Sequence, residues 1–105
     1  MSLEVQFHDA SLDKLETDSG ATGGYPPGVV RAFRKRMQLI RAAPDERVFY
    51  QWKSLHFEKL KGDRSHQHSI RLNDQWRLII EFQGEAPNKG KRQTIHVLVS
   101  TRFLW

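Results

Sequence analysis

The chain has 105 residues and a mass of 12.3 kDa, enough for one hydrophobic core and too little for two, so a single domain over 1–105 is expected. Its 28% charged residues, its mean hydropathy of -0.64 and the lack of an apolar run of about 18 residues exclude an integral membrane protein, and the absence of cysteine excludes disulfides, cysteine nucleophiles and thiolate-bound metals. The net charge of +5 is segregated, because residues 1–30 hold one basic and five acidic side chains (-4) and the remainder sixteen and seven (+9), which suits a polyanionic partner such as nucleic acid.

Leu3, Val5 and Phe7 alternate with Glu4, Gln6 and His8, the period of a short half-buried edge strand. No basic segment leading into an apolar one opens the chain, so a cytosolic protein is expected. Asp9 or Ser11 then caps a brief helix through Glu16 with Leu12 and Leu15 on one side, and 18–24 is a loop rich in turn formers. Pro26-Pro27 opens a second helix, whose Val30, Phe33, Met37 and Ile40 form an apolar stripe. Arg31, Arg34, Lys35 and Arg41 fall on its wet side, where they are either solvated or a contact for ribosomal RNA. Ala42-Ala43-Pro44 ends this helix, and Asp45 caps a further turn through Phe49 before an extended exit at Tyr50 and Trp52.

In the second half the period becomes two. Leu55, Phe57 and Leu60 mark a short extended segment; Ser69 to Leu72, Trp76 to Phe82 and Thr94 to Ser100 alternate, with a tight connection at Asn73-Asp74-Gln75 and a longer one over Gly84 to Gly90. Trp76, Leu78, Ile80 and Phe82 are expected to share the helix-covered face with Ile95, Val97 and Val99, while Arg77, Ile79 and Glu81 point away. The fold class is therefore α+β, with the N-terminal strand and helices packed on one face of a small antiparallel sheet and the other face open for a ligand.

The run Phe57-Glu58-Lys59-Leu60-Lys61-Gly62-Asp63-Arg64, the strand Ser69-Ile70-Arg71 and the segment Asn73-Asp74-Gln75-Trp76-Arg77, with the basic helix before them, resemble the HigB branch of the RelE/ParE toxin superfamily, also called plasmid maintenance killer proteins. The likeness extends over about residues 26–100. It implies a RelE-like fold and a type II toxin that enters the ribosome and cuts messenger RNA, held inactive by an antitoxin that is commonly a helix-turn-helix protein. Lys61 matches the active-site lysine of the Leu-Lys-Gly turn, Arg77 the phosphate-contacting arginine of the following strand, and Arg102 a C-terminal arginine of the RelE branch. The family's catalytic histidine falls on Glu58, with His56 two positions away, so either supplies the base. Lys59, Arg64 and Arg71 are the expected RNA contacts. Where the HigB pattern ends in Asp-Tyr-His, this chain reads Arg102-Phe103-Leu104-Trp105, so proton transfer falls to His56, Glu58, His68 or His96, and Trp105 either stacks on a base or packs on the sheet.

Such cleavage needs a deprotonated ribose 2′-hydroxyl, charge stabilisation on the phosphoryl oxygens and a proton for the leaving 5′-oxygen. No metal or other cofactor is expected; His66 and His68 read as part of a polar loop, since no carboxylate or third histidine stands near them at ligand spacing. Two other readings remain open: a non-catalytic module that keeps the basic face to bind RNA, ribosome or antitoxin, and a ParE-like poison of DNA gyrase.

Overall fold

A computed structural model describes residues 2–84 and 92–102. Strand β1 (Glu4–Phe7) leads into helix α1 (Ala10–Thr17), capped by Asp9, whose Oδ1 accepts from the Ser11 N–H at 2.9 Å and from its hydroxyl at 2.7 Å. Helix α2 (Pro27–Ala42) follows. Pro27 stands in the first turn, where a missing N–H costs nothing, and the helix stops at Ala43, because a residue before proline avoids the helical region. Val29, Val30, Phe33, Met37 and Ile40 are buried on its inner face, as the stripe anticipates.

Arg34 is half-buried and engaged rather than merely solvated. Its guanidinium donates to the carbonyls of Leu15, Asp18, Ser19 and Ala21 at 3.0–3.2 Å, so it closes the C-terminal end of α1 and ties the 18–24 loop to α2. Arg41 is likewise engaged, with Glu16. Replacing Arg34 with alanine is expected to cost about 2 kcal/mol and to lower Tm by roughly 10 °C, read by thermal melting. Lysine will not restore it, because one ammonium cannot span four carbonyls.

After Asp45, which caps through Arg47, the chain makes two 3-10 turns, Glu46–Tyr50 and Lys53–Leu55, and not an extended exit. The extended segment expected from Leu55 to Leu60 shrinks to the two residues of β2 (Glu58–Lys59). Packing overrides alternation here. Leu55 is buried in the core, and Phe49 gathers Trp52, Phe57 and Phe82 around it with ring centroids 5.4–6.0 Å away, which folds the backbone into turns. The reversal falls at His56, the one described non-glycine residue with positive φ (46°).

A further 3-10 turn (Gly62–Arg64) precedes β3 (Gln67–Arg71), β4 (Trp76–Gln83) and β5 (Thr94–Arg102). The strands form one sheet in the order β1-β5-β4-β3-β2, antiparallel except that β1 runs parallel to β5 at the edge. The β3–β4 turn is set by Asn73, whose Oδ1 accepts from the Gln75 and Trp76 N–H groups at 2.9 Å. The connection expected over Gly84 to Gly90 lies, beyond Gly84, outside the described residues.

One irregularity reassigns a face. Ile79 pairs with Val99 but Ile80 pairs with Val97, so Leu98 is an extra residue in β5, a β-bulge. Ile95 and Val97 face the helices as expected. Past the bulge the alternation is inverted: Ser100 lies opposite Leu78 on the covered side, and Val99, expected in the core, is 40% exposed on the other face. No helix among the described residues is long and apolar enough to cross a membrane.

Candidate functional site

The sheet face away from the helices is not open along its whole length, since Ser69 and Ile79 at its centre are buried, but it carries two chemically distinct halves, one to either side of the bulge. On one side Arg71 and Arg77 are direct cross-strand partners at the ends of β3 and β4. Two guanidiniums opposed in this way repel each other, so the pair is tolerated only with acceptors or an anion nearby. Asp74 pairs with Arg71, and the His56 main-chain carbonyl accepts from Arg77 Nη1 at 3.2 Å; Arg77 has further interactions and is only 8% exposed. His56 Nε2 lies 3.3 Å from Arg71 Nη1. A guanidinium can only donate, so this imidazole nitrogen holds its lone pair in that contact. The left-handed backbone of His56, costing about 1–2 kcal/mol for a side chain with a Cβ, points both its carbonyl and its ring at the arginine pair.

Arg36 completes the cluster and was not singled out by the sequence. Because the pairing of β2 with β3 ends at Glu58 opposite Ser69, the Arg71 main chain has no strand partner on that edge. Arg36 Nε reaches from α2 to donate to the Arg71 carbonyl at 3.0 Å, bracing the strand end. Burial, and then the Arg71 charge, lower its pKa from the ordinary arginine value. Its position on α2 between Lys35 and Met37 gives no sign of this, since the contact is with a backbone 35 residues away.

Of the residues singled out for chemistry, His56, Arg71 and Arg77 are brought together. Glu58, opposite Ser69, shares their face. Lys61 is exposed, the residue before the turn that Gly62 makes at φ 69°; since the Leu60 N–H bonds the Gln67 carbonyl, Lys61 lies beyond the far end of β3, roughly 13 Å or more along the strand from Arg71. Arg64, in that turn, bonds Gln67 Oε1 at 3.1 Å. Lys59, opposite His68, and Arg102, opposite Trp76, alternate onto the helix-covered side of the sheet, across from Arg77. The bulge is the reason for Arg102, since regular alternation would have left it beside Arg77. Residues 103–105, including Trp105, lie outside the described residues.

His68 is not available as a proton carrier at this face. It stacks on Phe57 with centroids 4.5 Å apart, and its Nδ1 is buried with no hydrogen-bond partner. Burial lowers its pKa below the ordinary 6.5, with Glu46 raising it and Lys59 lowering it to smaller extents. The unfolded chain takes up this proton near pH 6.5 and the native ring resists it. Stability from this group is therefore full above that pH and falls as the solution is acidified toward the lower native value. Urea midpoints between pH 7.5 and 5 are expected to fall less for His68→Phe than for the parent chain.

His66 Nε2 lies 3.9 Å from a Glu81 carboxylate oxygen, so a carboxylate 15 residues away in sequence is near it in space. His96, opposite Glu81, belongs to the second half of the face, with His8.

The model of the HigB-like toxin family, described as the RelE-like toxin of the type II toxin–antitoxin system HigB, matches residues 5–90. Among solved structures, a YoeB/ParE toxin from Agrobacterium tumefaciens is similar, with a TM-score of 0.57 and 20% identity over 98% of this chain and 100% of that one, which establishes a shared fold. No curated protein matches the sequence. With 86 of its 105 residues inside the family match and the α+β architecture in agreement, the chain belongs to the HigB-like family of RelE-like toxins, the toxin half of a type II pair whose partner is an antitoxin.

Proposed function

We propose that this toxin arrests translation by cutting messenger RNA on the ribosome. The observation that carries the reading is the pairing of Arg71 with Arg77 on the sheet face away from the helices, with the His56 imidazole in contact with Arg71. A phosphodiester between the guanidiniums offsets their repulsion, and its binding draws Arg71 away from His56 Nε2. The freed lone pair takes the proton of the ribose 2′-hydroxyl, whose oxygen attacks phosphorus. The arginines stabilise the charge gathering on the phosphoryl oxygens, and the 5′-oxygen leaves with a proton from water. A 2′,3′-cyclic phosphate and a 5′-hydroxyl result. Glu58 is the second acid–base group within this face. Lys61, Lys59, Arg64 and Arg102 hold the RNA strand and ribosomal RNA on either side, which suits cations spread over more than one nucleotide step. The ribosome, messenger RNA and a helix-turn-helix antitoxin are the partners on this reading, and the cytoplasm is its place of action.

Mapping 5′ ends of ribosome-bound messages after induction without antitoxin tests it. Discrete cuts within reading frames are expected. Ribosome binding without cuts would establish instead a non-catalytic module. The solved neighbour's name also includes ParE, so inhibition of gyrase supercoiling without cuts would favour that chemistry.

A further inference from the structure

The second half of the face away from the helices offers a cluster independent of the arginines. His8, directly after β1, and His96, on β5, bring Nε2 and Nδ1 to 2.7 Å of each other, with rings inclined at 72°. His96 Nε2 lies 2.8 Å from Gln83 Oε1. A carboxamide oxygen only accepts, so His96 carries its proton on Nε2 and directs the Nδ1 lone pair at His8, which donates from Nε2. Glu81, the cross-strand partner of His96, lies on the same face, and His66 lies beyond it. Among the described residues no three His, Cys, Asp or Glu side chains are gathered closely enough to hold a metal ion, so an ion here takes two ligands from them.

We infer that His8 and His96 form a two-imidazole site for a divalent late first-row metal ion, bridging β1 to β5. Imidazole is a favoured ligand for zinc, nickel and copper. A tetrahedral zinc with bonds of about 2.0–2.1 Å needs its nitrogens roughly 3.3 Å apart, so the rings must open by only about 0.6 Å from their present contact. His8 moves its proton from Nε2 to Nδ1, which solvent reaches, and the metal takes the place of that proton between the two nitrogens, with water completing the coordination. The hydrogen bond from His96 Nε2 to Gln83 is the outer contact that holds a ligating ring in one orientation and one tautomer. Glu81 adds negative charge beside the ion.

Zinc titration of the untagged full chain, by calorimetry and by melting, tests the site. One saturable site is expected, with Tm rising with free zinc by mass action. His8→Gln and His96→Gln should each weaken binding by roughly tenfold or more, as loss of one of two ligands requires, while His66→Gln leaves it unchanged. Both ligands are surface side chains, and melting without metal verifies that each variant is folded. Absence of saturable binding up to about 1 mM zinc, binding unaltered in both ligand variants, or loss in His66→Gln would each overturn the site.

Discussion

Replacing Arg77 by alanine is expected to lower message cleavage about 10²–10³-fold, the usual effect of removing one preorganised donor to a developing oxyanion. The arginine is 8% exposed and donates to the His56 carbonyl, so its loss also costs about 1–3 kcal/mol of stability. The two effects separate by measurement. A variant that still melts cooperatively and still binds antitoxin, yet leaves messages intact, has lost chemistry and not fold. His56→Ala gives the complementary result, because it removes the imidazole while leaving both guanidiniums in place. If Arg77→Ala cuts messages at the parent rate while remaining folded, the phosphate lies elsewhere.

The largest stability loss is expected for Phe49→Ala. Phe49 is fully buried in the 3-10 turn after α2, and the rings of Trp52, Phe57 and Phe82 surround it. Truncating a buried phenylalanine costs about 3–5 kcal/mol in lost transfer energy and cavity, against about 5–15 kcal/mol of total stability for a domain of this kind. Urea denaturation should show the midpoint falling by about a fifth or more, with Phe49→Leu recovering part of it. The same rings seat the turn that carries His56, so the alanine variant should also lose cleavage at temperatures where it remains folded.

The helices and strands were legible because each carries a period its own residues enforce. The Val30, Phe33, Met37 and Ile40 stripe had one way to be buried, and so did Leu78, Ile80 and Phe82 with Ile95 and Val97. The parallel edge pairing of β1 with β5 was not legible, since pairing partners 90 residues apart leave no local trace. Between Tyr50 and Leu60, aromatic packing across the chain governs the backbone, so alternation misled. At the site, Arg77 was visible as a cation in an apolar strand. Its pairing with Arg71 follows from the Asn73 turn, which the sequence did contain. Arg36 and Arg34 were hidden because both bind backbone carbonyls, and an arginine's sequence neighbours do not reveal which distant carbonyls lack partners. His56 was found by residue type, while its left-handed conformation, which aims it, had no signature.

Leu98 makes β5 a strand of mixed parity. Were Leu98 paired in register with β4 rather than extruded, Val99 would turn inward and Ser100 outward, and the guanidinium of Arg102 would be carried round to the face of Arg71 and Arg77; deleting Leu98 would leave all three where they are. Whether one amino acid is paired or extruded thus sets how many cations that end of the face gathers, without any side chain being altered. Relatives of this toxin whose last strand pairs without such a bulge are therefore expected to present the opposite set of C-terminal side chains on that face.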